Sequence, residues 1–235
     1  MGQNPRKSND EWLKANQHFL DLDAARKSDD EDELGDLDHI LDDFENFADD
    51  FKPSQAEIDS EDQAMLRRQK QFRLAADAVA AAVSSLSQVE KIVLFGSVAN
   101  PLGREVPRFR KFRRAEIETW HECKDVDLAV WVSSLDHLKS LQKARSQAVD
   151  GLLADRGIGV AHHQIDVFLM EPGTDRYLGR LCIFGQCPKG KMDCLIEGCG
   201  AKPFLKLHNG FVFDWPSACQ GSVTLYDRNH DQPTR

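Results

Sequence analysis

The segment from residue 91 to residue 132 constrains the fold of this chain more than any other. It opens with a run of apolar residues that Gly96 and Ser97 interrupt. It closes with Asp125 and Asp127, which lead into a second apolar run. Short apolar runs bounded by turn residues are typical of buried strands. The segment therefore predicts two strands, with a tight turn after the first and two acids at the start of the second.

The two aspartates are expected to share one face of the second strand. Side chains alternate between faces along a strand, so Asp125 and Asp127 point the same way. Carboxylates on one face repel each other unless a cation lies between them. The backbone N–H groups of a Gly-Ser turn can hold phosphate, and Mg²⁺ is the natural cation beside phosphate. The pattern predicts a site for Mg²⁺ and a phosphorylated ligand.

Gly96-Ser97 after an apolar strand, followed by Asp125-x-Asp127, resembles the signature of the DNA polymerase beta-like nucleotidyltransferase superfamily. The resemblance covers about residues 61–175. It implies a third acid on a later strand, and Asp166 fits because it lies in an apolar run. Minimal members usually have an arginine shortly after the serine, where this chain has residues 99–101, Ala-Asn-Pro.

The resemblance implies an α/β (α+β) fold in which helices flank a mixed sheet. It implies a metal-dependent enzyme that moves a nucleoside monophosphate from an NTP to an acceptor hydroxyl. Asp125 and Asp127 would hold two Mg²⁺ ions, and Asp166 would bind one of them and help to deprotonate the acceptor. Gly96 and Ser97 would hold the triphosphate. The alternative is a module on the same scaffold that binds nucleic acid or protein without turnover, since fold alone does not settle function.

An insertion between the two strands carries the densest positive charge of the chain. Six of the eleven residues from Arg104 to Arg114 are Lys or Arg, interleaved with Phe109 and Phe112. A solvated helix face is one interpretation. The other is a surface that binds the triphosphate, with Arg104 among its residues, or a polyanionic acceptor such as RNA.

Four cysteines follow the third strand, in the pattern Cys182-x₄-Cys187-x₆-Cys194-x₄-Cys199. Two pairs among turn-forming residues predict a structural Zn²⁺ site; an iron–sulfur cluster and metal-free thiols stay open as alternatives. We expect residues 176–226 to form this cysteine module and a closing hairpin. The hairpin would pair residues 211–213 with residues 223–226, and residues 227–235 would form a tail.

The N-terminal segment is strongly acidic. Residues 1–62 have a charge balance of −14, whereas residues 63–235 have one of +5. We expect residues 1–60 to be a largely disordered extension, with an amphipathic helix near 33–48. A solvated tail and a polyanion mimic that covers a basic site are both compatible with this charge.

Two long helices are expected to pack on the sheet. Helical spacing of apolar residues, with Leu66 among them, predicts one helix over 61–88, and residues 60–63 supply its start signal. Similar spacing, with Leu153 in the buried stripe, predicts another helix over 134–156, which ends at Gly157. No apolar run has the length of a transmembrane helix, and the N-terminus has no secretory signal. We expect a cytoplasmic protein with no membrane contact.

Overall fold

The computed structural model describes residues 52–187, 198–208 and 212–229. The predicted acidic helix near residues 33–48, the cysteine Cys194 and residues 230–235 of the predicted tail lie outside these ranges. Of the tail predicted over 227–235, Asp227 is the last residue of a strand. None of the helices in the described ranges is long and apolar enough to cross a membrane.

The first helix, α1, spans Gln55–Ser84 and begins six residues before the predicted start. Its N-terminus is a capping box, in which the Ser54 side chain accepts from the N–H of Glu57 and the Glu57 carboxylate accepts from the N–H of Ser54. These bonds satisfy two N–H groups that the first helical turn would otherwise leave open, which explains the earlier start. Leu66, predicted on the apolar face, is 46% exposed.

The core of the protein is a six-stranded mixed sheet. The strands are β1 Val89–Phe95, β4 Val126–Val132, β5 Ile165–Met170, β6 Tyr177–Leu181, β7 Leu205–Lys206 and β8 Val223–Asp227. Their order is β7-β6-β5-β4-β1-β8, and β4 and β5 are parallel while the other neighbours are antiparallel. The predicted mixed α+β fold is confirmed at this level.

The closing strand β8 does not form the predicted hairpin in the described part of the chain. It pairs with β1, from Lys91 opposite Asp227 to Leu94 opposite Val223. Residues 212–214 precede a short helix, α4, at Trp215–Ala218. This pairing satisfies the backbone groups along the outer edge of β1, which a local hairpin would have left unpaired.

Both long helices cover one face of the sheet. The second, α3, spans Leu138–Arg156 and packs with α1 over the apolar side chains of β1, β4 and β5. It starts four residues later than predicted and ends at Gly157, as predicted, where φ is 65°. Leu153, predicted in its buried stripe, is 56% exposed. The described sheet is therefore covered by long helices on one face rather than flanked on both.

The insertion forms a small unit of its own beside α1. Two short strands, β2 Arg104–Glu105 and β3 Thr119–Trp120, pair antiparallel, and a five-residue helix, α2 Arg110–Arg114, lies between them. Phe112 is the buried anchor of α2.

Candidate active site

Two of the three predicted aspartates face each other across neighbouring strands. Asp127 on β4 is directly opposite Asp166 on the parallel strand β5, and opposite Phe95 on β1. Residues paired in register share a face of the sheet. Asp127 and Asp166 therefore lie side by side on the face that the long helices leave open.

Asp125 lies just ahead of β4, close enough for its charge to act on the other two acids. It comes two residues before Asp127 and is half-buried, just ahead of the first residue of β4. Its charge acts on both Asp127 and Asp166. The structure thus brings the three predicted acids together at one end of the open face.

The glycine of the predicted turn lies against one of these acids. Gly96 follows β1 with a φ of 76°, a left-handed conformation that glycine adopts without strain. A Cβ atom at this position would lie 2.8 Å from Oδ2 of Asp127. Only glycine lets the turn approach the carboxylate this closely.

Hydrogen bonds from other elements hold the turn in place, while two of its own backbone N–H groups remain unbonded among the described residues. The side-chain amide of Gln69 on α1 donates to the carbonyls of Ser97 and Asn100, at 3.1 and 2.7 Å. The Ser97 side chain shares a hydrogen bond with the buried thiol of Cys123. Within the described part of the chain, the backbone N–H groups of Ser97 and Val98 donate to no other group. Such N–H groups can donate hydrogen bonds to a bound anion.

The clustered acids resist ionisation. Burial, and after it the charges of Asp166 and Asp125, together raise the pKa of Asp127 to about 6, against the opposing charge of Arg180. Burial also raises the pKa of Asp166, and the charge of the Arg180 guanidinium opposes this increase. Groups with pKa values raised in this way gain most from a cation placed between them.

A cation not predicted from the sequence adjoins the acids. Arg180 on β6 is opposite Phe168 in register, and its Nη1 donates to Oδ2 of Asp166 at 2.5 Å. Its guanidinium lies over the Phe168 ring, 5.0 Å from the centroid. The only signal in the sequence is a basic residue in a short half-apolar run, 177–181, which by itself does not specify pairing with β5.

An aromatic cluster covers the same face beyond the acids. Phe168 and Phe213 are stacked with centroids 5.0 Å apart, and Phe95 meets Phe168 edge-on at 5.3 Å. Such contacts bury large apolar areas and keep water away. The cluster comprises Phe95, Trp131, Phe168, Tyr177, Phe213 and Trp215.

The basic insertion is tied to α1 rather than to the aspartates. Arg104, predicted to bind nucleotide, pairs with Asp62 at 2.8 Å and lies over the Trp120 ring at 4.5 Å. Lys111 pairs with Glu57 at 2.7 Å. Glu122 pairs with Arg108 of the insertion and with Arg68 of α1. Three exposed arginines of the insertion have no acidic partner among the described residues: Arg110, Arg113 and Arg114.

The described residues contain no group of three or more His, Cys, Asp or Glu side chains arranged to hold a metal ion. The predicted zinc site therefore has no support from the structure. Of its four cysteines, Cys182, Cys187 and Cys199 are half-buried, and Cys194 lies outside the described residues. The same finding covers the three aspartates, of which Asp166 accepts a hydrogen bond from Arg180.

Comparison of the chain with models of protein families, with curated proteins and with solved structures finds no match. The candidate function therefore depends on the residues and geometry of this site.

Proposed function

We propose that this protein is a metal-dependent nucleotidyltransferase that moves a nucleoside monophosphate from an NTP to an acceptor hydroxyl. The observation that carries the proposal is the register of the open face. Asp127 lies opposite Asp166, with Gly96 against the Asp127 carboxylate and the open N–H groups of Ser97 and Val98 beside it. A phosphate-binding turn next to paired carboxylates is the arrangement that phosphoryl chemistry requires.

The side chains of the site fit Mg²⁺ by chemistry and by charge. All three candidate ligands, Asp125, Asp127 and Asp166, offer carboxylate oxygens, which Mg²⁺ prefers. Their charges are opposed by Arg180, which acts on Asp127 and Asp166, and by Arg145, which acts on Asp166, so three ionised carboxylates still leave net negative charge for a divalent ion. For Asp166 to become a ligand through Oδ2, its contact with Arg180 must first open.

In this proposal the chain binds the nucleotide by its phosphates. The N–H groups of Ser97 and Val98 hold the triphosphate at the end of β1, next to the carboxylates. When bound, Mg²⁺ would neutralise the negative charge on the attacking and leaving oxygens. The aromatic cluster excludes water from the open face, which strengthens the electrostatic interactions there. Catalysis is then mainly positioning and charge stabilisation.

The proton of the acceptor goes to Asp166. The acceptor hydroxyl gives its proton to a carboxylate oxygen of Asp166 while the acceptor oxygen forms a bond to the α-phosphorus. The bond from the α-phosphorus to the α,β-bridging oxygen breaks, and pyrophosphate leaves.

A second candidate is a polyanion-binding module without turnover. It is favoured by the exposed Arg110, Arg113 and Arg114, beside Phe109, which is 42% exposed. Exposed arginines next to an aromatic ring are suited to nucleic acid, through phosphate contacts and stacking. This candidate leaves the clustered aspartates and their raised pKa values without a purpose.

Transfer from α-labelled NTP in Mg²⁺ distinguishes the two candidates. The wild-type protein is expected to release pyrophosphate and to label a macromolecule or small alcohol in a cell lysate. Asp127→Asn should reduce the rate by at least about two orders of magnitude. The matched control is Asp155→Asn, because Asp155 is an exposed acid of α3 and should be dispensable. Equal rates in wild type and Asp127→Asn, or no transfer by wild type from any NTP, would refute the proposal.

A further inference from the structure

Arg180 occupies a position that a static ion pair does not explain. Its Nη1 contacts Oδ2 of Asp166, and its plane lies over Phe168, yet its Nε is buried with no hydrogen-bond partner. A buried donor without a partner is costly unless another ligand satisfies it in a different state. The guanidinium therefore has donors to spare while it is bound to Asp166.

The turn at Gly96 and Ser97, by contrast, carries no Lys or Arg in its own sequence. The five residues after Ser97 include no Lys or Arg. The first basic residue after the turn is Arg104, which is paired with Asp62 and stacked on Trp120. A triphosphate held at the turn therefore needs positive charge from elsewhere, and Arg180 is the cation whose charge acts on both Asp127 and Asp166.

A divalent cation bound through Oδ2 of Asp166 would compete with Arg180 for that oxygen. Mg²⁺ binds its ligands at about 2.0–2.1 Å, and Oδ2 of Asp166 is already occupied by Nη1 at 2.5 Å. Two cations at one oxygen repel each other, so a metal ligated by Asp166 would release the guanidinium. The Phe168 ring would still hold the released group over the open face, where its planar array of donors suits phosphate oxygens.

We propose that Arg180 exchanges partners, neutralising Asp166 before the metal binds and holding the phosphates of the NTP afterwards. This inference depends on the proposed nucleotidyltransferase function for its second half. Its first half, competition between Arg180 and the metal, concerns the site without nucleotide and can be measured by itself.

Two binding measurements on Arg180→Gln test the exchange. The glutamine keeps a hydrogen-bond donor but removes the charge and the fork of donors. Mn²⁺ alone, titrated without nucleotide, should bind the variant more tightly than wild type. A non-hydrolysable NTP analogue with Mg²⁺ should bind it more weakly. Both shifts should fall within the range of about 5–150-fold that is usual for coupled sites.

Two controls exclude general effects of charge and of misfolding. Arg176→Gln removes the same charge from an exposed arginine that pairs with Glu171, and it should leave both affinities unchanged. Arg180→Lys keeps the charge but not the fork, so Mn²⁺ affinity should stay near that of wild type while analogue binding weakens. If Arg180→Gln fails to fold, Arg180→Lys still tests the phosphate half.

The outcomes separate this inference from the proposed function. Wild-type protein that binds no NTP analogue in Mg²⁺ would refute the proposed function and the phosphate role together. Wild-type protein that binds the analogue no better than the Arg180 variants would overturn the exchange and leave the function standing. Unchanged Mn²⁺ affinity in Arg180→Gln would also overturn it, because the arginine would then not compete with the metal.

Discussion

Removing the charge of Asp127 should stabilise the metal-free protein, although the residue is proposed to be essential for activity. The folded protein raises the pKa of Asp127 from 3.8 to about 6. The raised pKa means that the folded state favours the protonated carboxyl. This contribution to stability is complete below pH 3.8 and is lost as the pH rises through about 6.

The size of the effect follows from the shift. A shift of about two pKa units corresponds to about 3 kcal/mol of unfolding free energy at pH values above both pKa values. Asp127→Asn should therefore be more stable than wild type by about 2–3 kcal/mol near neutral pH in a chelator. For a chain of this length that is a melting temperature higher by about 4–12 °C.

Chemical denaturation in a chelator, at a series of pH values from acid to neutral, measures this difference. The advantage of Asp127→Asn should vanish at the acid end, where both side chains are neutral. Millimolar Mg²⁺ should stabilise wild type but not Asp127→Asn. Asp155→Asn, at an exposed position, should follow wild type throughout. A difference that does not depend on pH, or an Asp127→Asn variant less stable than wild type at neutral pH, would refute the reasoning.

Three further changes have defined expectations. Gly96→Ala forces a side chain into a left-handed conformation, which costs about 1–2 kcal/mol before any clash with Asp127; denaturant unfolding should detect the loss, and an unchanged midpoint would contradict the observed turn. Ser54→Ala removes the capping box of α1 and should cost about 1 kcal/mol, measured by the same unfolding assay, while Ser54→Asp should restore most of it. Arg110→Glu combined with Arg113→Glu should weaken binding of single-stranded RNA and flatten its dependence on salt; equal salt slopes would show that these arginines are only solvated.

Much of the framework could be predicted from local sequence. Apolar runs bounded by turn residues located β1, β4 and β5, and Gly157 marked the end of α3. The start of α1 was misplaced because the sequence contains two capping patterns, and the one at Ser54 is used. Local signals specify which residues favour an element, but competing signals are decided by which hydrogen bonds the folded chain completes.

Helical periodicity and residue type make opposite predictions at Arg145 of α3. The buried stripe includes Leu141 and Val149, and position 145 lies between them at helical spacing. Arg145 is 2% exposed there, and its Nη1 donates to the carbonyl of Ile165. Composition alone would place an arginine on the surface, whereas the packing of α3 against β5 buries it beneath the sheet.

Some features of the candidate site were likewise predictable from sequence, and others depended on the tertiary structure. The spacing of Asp125 and Asp127 predicted that both carboxylates would share a face, because side chains alternate along a strand. In the structure only Asp127 lies within β4, which begins at Val126, and Asp125 precedes it. Only the fold decided that Asp127 lies opposite Asp166, and that Arg180 on β6 reaches Asp166. Strand pairing joins residues far apart in sequence and depends on burying one face of the whole sheet under helices. No local pattern encodes that choice, so the acids were predictable and their cationic partner was not.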